Sequence, residues 1–399
     1  MSIAIYNPVC GNGTAKAFLE EEVIPLLQES NKPVPKLVAT ERADHAGELV
    51  RDALEGSDDE ITVILGCGDG TLHEIINFLS LKTQLKGPKA RTDKKLHFVL
   101  VPCGTANALY SSIFPPPTPE SLSDAAYKLQ SVRSFISRQR VIPLTLAIST
   151  LSGAPGKKVT PRAVISAVVV STSLHAAILK DSEALRKETP GIERFKVAAE
   201  KNISKWYNGH VKLLPAAKVG VVEIYDPSAK AFVPYAEDDD DEDVIDVYGP
   251  FAYFLSTVNV DRLEPSFRMT PLTKDIVPAE ATCELVMIRP LRDPSLTWDS
   301  PETRKAFAPK LTKALYEAYN DGNHVNLTYD ENGEVVVGGE GPSLVEYVRC
   351  GGWEWVPDDI DESSHVLCSD GLISDIDKGG RVVCTAATPD EDAGFMIYA

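Results

Sequence analysis

The chain has 399 residues, 43% hydrophobic and 25% charged, which is long enough for two domains and two cores. Its formal net charge of −18 argues against a nucleic-acid partner, which needs a basic face, and against plain electrostatic adsorption to an anionic membrane. Seven scattered cysteines with no CxxC spacing argue against zinc and against a disulfide framework, and fit a reducing, cytoplasmic compartment.

Ser2–Tyr6 is a short apolar run of strand length, too short and uncharged at its start for a signal peptide. "NPVCGNGTAKAF" follows as a glycine-rich turn opening a helix that continues through "LEEEVIPLL". "PKLVAT" reads as a strand and "DHAGELVRDALE" as an amphipathic helix with Asp44 as its N-cap. "ITVILG" is a strand followed by a helix, "TLHEIINFLS", and "LHFVLVP" is a further strand followed by "CGTANALYSSI". Basic "KTQLKGPKARTDKK" is a surface loop, and "FPPPTPES" precedes one more helix near Ser123–Ser134. This alternation predicts a mostly parallel sheet covered by helices, a Rossmann-like α/β domain over residues 1–140.

After Arg140 the text turns β-rich: "RVIPLTLAIS", "RAVISAVVVSTSL", "AKVGVVEIY", "FAYFLSTVNV", "CELVMIRP", "HVNLTY" and "EVVVGG". Residues 141–399 are expected to form a mostly antiparallel β-sandwich, interrupted by helices at "DSEALRKETPGIERFKVAAEKNI" and "PETRKAFAPKLTKALYEAY". The acidic run Glu237–Asp243 reads as a solvated loop. No apolar run reaches membrane-spanning length, and nothing in the sequence fixes an oligomeric state.

Three loops, "NPVCGNG", "GCGDGT" and "PCGTAN", leave the carboxyl ends of predicted parallel strands, where ligands of open α/β sheets gather. Glycines let backbone N–H groups approach an anion, and the helix start adds partial positive charge. The stretch is neither GxGxxG, since Thr71 stands at the third glycine, nor a Walker loop, since no GK[ST] follows. An acid such as Asp69 inside a phosphate loop makes sense beside a cation, or where an attacking hydroxyl must lose a proton.

In these motifs the chain resembles the catalytic domain of diacylglycerol and sphingosine kinases, lipid-kinase relatives of the NAD kinases. "NPVCGNG" is similar to the family's first nucleotide loop, which implies ATP contacts from Asn7, Pro8, Val9 and Gly11. "TERADHAGELV" resembles the adenine-pocket wall and implies Thr40, Glu41, Arg42, Ala43 and Asp44. "GCGDGT" matches the GGDGT signature: Cys67, Gly68, Asp69 and Gly70 would meet the substrate, with Asp69 as catalytic base. "PCGTAN" resembles GTxN and implies Gly104, Thr105 and Ala106 on the nucleotide.

The resemblance continues in the second domain, where "DSEALRKETPGIERF" brings Arg186 and Arg194 to the phosphates. "SDG" keeps Asp370 and Gly371 of a terminal DGE motif, with Leu372 in place of its glutamate; "GGE" ending at Glu340 is a nearby alternative. Glu74 and Asp370 are the implied Mg²⁺ ligands. Ala177 and Leu179 stand where sphingosine kinases carry head-group acids, leaving His175 as a polar contact there. The resemblance thus implies an ATP- and magnesium-dependent kinase acting on the primary hydroxyl of a sphingoid base or diacylglycerol-like lipid, with ATP between the two domains and transient access to membranes. A nucleotide- or lipid-binding protein with degraded catalysis and a soluble-substrate kinase of the NAD kinase type are the alternatives.

Overall fold

The computed structural model describes residues 2–56, 60–82, 95–156, 160–185, 188, 189, 191, 193–235, 244–387 and 394–399. The expected loop at 83–94, Arg186 and the acidic run Glu237–Asp243 lie outside the described residues. The chain forms two compact units: residues 1–145, 262–265 and 388–399, and residues 146–261 and 266–387.

In the first unit, β1 (Ser2–Tyr6), β2 (Lys36–Ala39), β3 (Glu60–Cys67) and β4 (Lys95–Pro102) are parallel, in the spatial order β2-β1-β3-β4. β3 and β4 are buried on both faces, which explains their unbroken apolar sequences. Helical text after β1 folds as α1 (Ala15–Phe18), a π-helical stretch (Leu19–Val23) and α2 (Ile24–Glu29). α3 (His45–Glu55) leads to β3, α4 (Asp69–Asn77) follows it, and α5 (Ala108–Ile113) follows β4. Leu19, Val23 and Leu27 pack with Ile64, Val99, Val101 and Val132 in the core. Strand order reverses between β1 and β3, so the crevice where ligands settle lies at the ends of those two strands.

The sheet contains one strand the sequence did not announce. Phe395–Tyr398 runs parallel to β4 and separates it from antiparallel Val141–Pro143, so a division at residue 140 leaves out an interior strand of the first unit. Ser131 Oγ donates to Tyr398 O (2.8 Å) and accepts from Leu100 N (3.0 Å), pinning it.

The second unit holds an eight-stranded and a six-stranded sheet, both antiparallel, as the β-rich text predicts. Phe251, Phe254, Trp353 and Trp355 interlock at centroid distances of 5.1–5.8 Å in its core. A helix at Pro301–Tyr319 coincides with the helical text; Ser300 caps it by accepting from Thr303 N. Deep in this unit Glu346 is fully buried and accepts from Arg289 Nε (2.8 Å), Arg289 Nη2 (2.7 Å) and Tyr235 Oη (2.9 Å).

Candidate functional site

Three glycine loops meet at the switch point of the first unit, and they meet through missing side chains. A Cβ on Gly104 would lie 2.5 Å from Gly68 Cα, and one on Gly11, whose φ is +56°, would lie 2.2 Å from Cys103 O. Only glycine permits either approach. Cys103 N donates to Cys67 O (3.2 Å), and Cys10 Sγ donates to Cys103 O (2.9 Å), so the loop after β4 is tied to both others. Burial pushes the Cys10 and Cys103 thiols up to about 11, and the fully buried Cys67 also rises, so none is a thiolate at neutral pH. Asn107, in the left-handed region at φ +52°, accepts from Gly104 N (2.8 Å) and donates to Gly104 O (2.9 Å), clamping the turn that presses on Gly68. Asn107 carries no role in the sequence reading; an Asn three residues after a turn glycine was the available signal.

Asp69 is the first residue of α4, and its carboxylate reaches another helix. Oδ2 accepts from Ala108 N (2.8 Å) and Oδ1 from Leu109 N (3.1 Å), the orphan amides at the start of α5. A small cavity lined by Cys67, Gly68, Asp69, Leu72, Asn107 and Tyr110 opens beside the carboxylate. Gly70 differs from Gly68: a Cβ there would meet nothing within 4 Å. Glycine at 70 therefore leaves open space beside the acid, whereas glycine at 68 serves packing.

In the first loop Asn7 Oδ1 accepts from Val9 N (3.1 Å), and Pro8, Val9, Gly11 and Thr105 are exposed, with Ala106 half-buried. Thr40 N donates to Tyr6 O (2.9 Å), Glu41 N to His45 Nδ1 (3.1 Å), and Arg42 pairs with Glu48. Asp44 precedes α3 but does not cap it as expected. It sits in the left-handed region at φ +65° with no side-chain cap bond. Glu74, from α4, supplies the missing acceptor: its Oε1 takes Ala46 N at 3.0 Å. Burial pushes Glu74 upward, partly offset by the amides of Ala46 and Asp44. Glu74 thereby fastens the Thr40–Asp44 segment to the glycine loops.

The remaining candidates belong to the second unit. Arg194 is buried in the Glu193–Asn202 helix, its guanidinium 4.6 Å from the Phe195 ring centroid. His175 Nδ1 lies 2.7 Å from Ser171 Oγ, its ring edge-on to Tyr253, and burial pushes it down to about 4, so it is neutral at ordinary pH. Asp370 accepts from Ala167 N (2.8 Å), Val168 N (3.0 Å) and Val169 N (2.8 Å). Asp370 and Gly371, at φ +48° and +95°, form the two-residue turn between Val366–Ser369 and Leu372–Asp375, a hairpin turn for which Asp-Gly is the strongest short signal. Leu372 is 49% exposed. Among the described residues no three His, Cys, Asp or Glu side chains stand together as a metal site.

Residues 2–136 match the diacylglycerol kinase catalytic domain. The chain is 32% identical over 111 residues to human sphingosine kinase 2 (28% of this chain, 16% of that protein) and 27% identical over 221 residues to human sphingosine kinase 1 (55% and 53%). It thus spans about half the length, or less, of these relatives. A crystal structure of a diacylglycerol kinase from Bacillus anthracis superposes with a TM-score of 0.47 at 14% identity, covering 100% of this chain and 96% of that one. Yeast NADH kinase complexed with NADH gives 0.40 at 11%, covering 99% and 82%.

The Rossmann-like sheet with glycine loops at its switch point is the part of the chain that matches a kinase catalytic domain. Residues 2–136 thus match the diacylglycerol kinase catalytic domain, and the chain is similar over part of its length to the sphingosine kinases.

Proposed function

We propose that this protein transfers the γ-phosphoryl group of ATP to the primary hydroxyl of a lipid. The observation that carries the reading is Asp69: an acid held between Gly68 and Gly70, both oxygens oriented by α5 amides, with open space beside Gly70. A carboxylate so fixed accepts a proton from, or aims, an incoming hydroxyl without reorganising. The glycine-loop amides and the start of α4 would offset phosphate charge, and the resemblance also implies Arg186 and Arg194 as phosphate contacts. Glu74 in the first unit and Asp370 in the second are each bound to backbone amides, so either acid would reach a nucleotide-borne Mg²⁺ singly or through water, and the ion would screen phosphate charge.

The head group is a neutral alcohol. An ammonium leaving water needs a carboxylate, and the segment similar to the family's head-group segment offers none. Leu179 packs against Ala176, Val366 and Cys368. Asp181 is held by Asn202 Nδ2 and Lys201 Nζ, each at 2.9 Å, and Asp375 by Lys180 at 3.3 Å. The test measures ATP consumption against a sphingoid base, a diacylglycerol and NAD in matched micelles, with wild type and Asp69→Asn. The diacylglycerol should be turned over at least as well as the sphingoid base, and Asp69→Asn should lose about 10²–10⁴ in rate with ATP affinity retained. Near wild-type turnover by Asp69→Asn removes its assigned role, and a strong preference for the amine removes the neutral head group.

A further inference from the structure

Three large apolar side chains protrude at one end of the β-rich unit. Ile360 is 92% exposed, more than any other large apolar side chain among the described residues; Trp298 and Tyr248 are each 65% exposed. All three are anchored around one stretch, Trp206–His210. The turn carrying Ile360 hangs on Asn208, which donates to Asp361 Oδ2 (2.7 Å) and accepts from Asp358 N (3.0 Å). Tyr248 ends its strand opposite His210 and stacks on that ring at 4.6 Å, in the strand that begins at Gly209 opposite Pro357. Trp298 O accepts from Thr303 Oγ1 (3.0 Å), and the adjacent Arg304 lies 5.7 Å from the Trp206 ring centroid.

We infer that Tyr248, Trp298 and Ile360 form a membrane-docking surface that inserts into a zwitterionic, choline-bearing bilayer. This rests on the lipid-kinase reading, which requires access to a substrate held in lipid; no helix among the described residues is long and apolar enough to cross a membrane. Indole and phenol rings favour the water–lipid boundary, where the apolar body is buried and the polar edge stays wet. The tips stand on separate turns, which suits a fluid interface that reshapes around each. Charge selects the kind of bilayer. Asp358, Asp359 and Asp361 flank Ile360 in the sequence, Asp299 beside Trp298 is paired with Arg304 and Glu362 with Lys378, so acids outnumber bases at the tips, as in the chain of net charge −18. Carboxylates complement choline cations and repel an anionic leaflet.

The molecule supplies its own reporter. Of four tryptophans, Trp206, Trp353 and Trp355 are fully buried, so Trp298 is the one exposed indole. Pure phosphatidylcholine vesicles should shift its emission to the blue, brominated acyl chains should quench it, and Trp298→Phe should remove the change. Replacing Tyr248, Trp298 and Ile360 together by Ser should weaken vesicle co-sedimentation by at least about tenfold, since burying even one such side chain is worth that much. Circular dichroism and ATP affinity should be unchanged. The surface is overturned if wild type ignores phosphatidylcholine vesicles, if the triple variant binds them equally, or if low salt and anionic lipid tighten binding. Self-association of wild type that the triple variant loses, without vesicle binding, assigns the face to a second copy and overturns it too. Vesicle binding is read without ATP, so a chain that docks but phosphorylates no lipid refutes the kinase reading alone. Turnover of a dispersed short-chain lipid without docking refutes the surface alone.

Discussion

Replacing Gly104 by alanine tests whether the glycine loops work as one rigid piece. Gly104 lies outside the left-handed region, so alanine brings no backbone strain there; the effect is contact alone. Its Cβ would stand 2.5 Å from Gly68 Cα, 2.8 Å from Asn107 Oδ1 and 3.1 Å from Gly68 N. Two of those atoms are backbone and cannot rotate aside, so the loops after β3 and β4 must part by about 1 Å to reach ordinary contact, an overpacking cost of about 1–3 kcal/mol. Asp69 is fixed to α5 across this seam, so its carboxylate moves with it. A misplacement of about 1 Å costs about 10²-fold in rate. Gly70→Ala is the matched control: nothing lies within 4 Å, and alanine in a helix gains roughly 0.5–1 kcal/mol. Lipid phosphorylation and urea unfolding should separate the two variants, Gly104→Ala losing both rate and stability and Gly70→Ala losing no stability. Gly104→Ala with wild-type rate and midpoint would refute the interlock.

Arg194→Gln should weaken ATP binding by about 1.5–3 kcal/mol in a titration, the worth of a charge-assisted bond; unchanged affinity reduces Arg194 to packing on Phe195. His324 is 1% exposed and burial pushes it down to about 4, so its neutral form is favoured by folding. That stability is present above the ordinary value of about 6.5 and is lost as pH falls toward 4, at about 1.4 kcal/mol per pH unit. His324→Gln should flatten the fall of urea midpoint over that window, and an unchanged slope contradicts a neutral buried ring. Glu346→Gln leaves half-buried Arg289 and Arg292 without their anion and should destabilise by about 1.5–3 kcal/mol; a loss below about 0.5 kcal/mol would mean the network relaxes.

What the sequence disclosed follows from how local each signal is. β3 and β4 were legible because strands buried on both faces leave unbroken apolar runs, and the helix after Ser300 because its cap and first turn are adjacent in sequence. The three loops were legible through their glycines, since close approach admits no other residue. The bond partners were not. Asp44 has the composition of a cap, yet the acceptor at α3 comes from Glu74, 28 positions away from Ala46. Asp69 reaches α5 across 39 positions, a distance that no window reads. Asp370-Gly371 reads equally as a fragment of a nucleotide motif and as a hairpin turn, because both use the same two residues. The strand "FMIY" is only four residues long, and nothing in it names the sheet it joins.

That strand governs the order in which the molecule can be completed. Translation proceeds from the amino end, so the whole β-rich unit leaves the ribosome before Phe395–Tyr398 arrives to lie between β4 and Val141–Pro143. Until then the nascent α/β sheet carries an open gap, with β4 unpaired on that side. A fragment cut to residues 2–136, the stretch matched as a catalytic domain, keeps that vacancy permanently. It exposes the apolar edge of β4 as a template for foreign strands, so dissection at the family boundary yields an aggregating piece rather than a minimal enzyme.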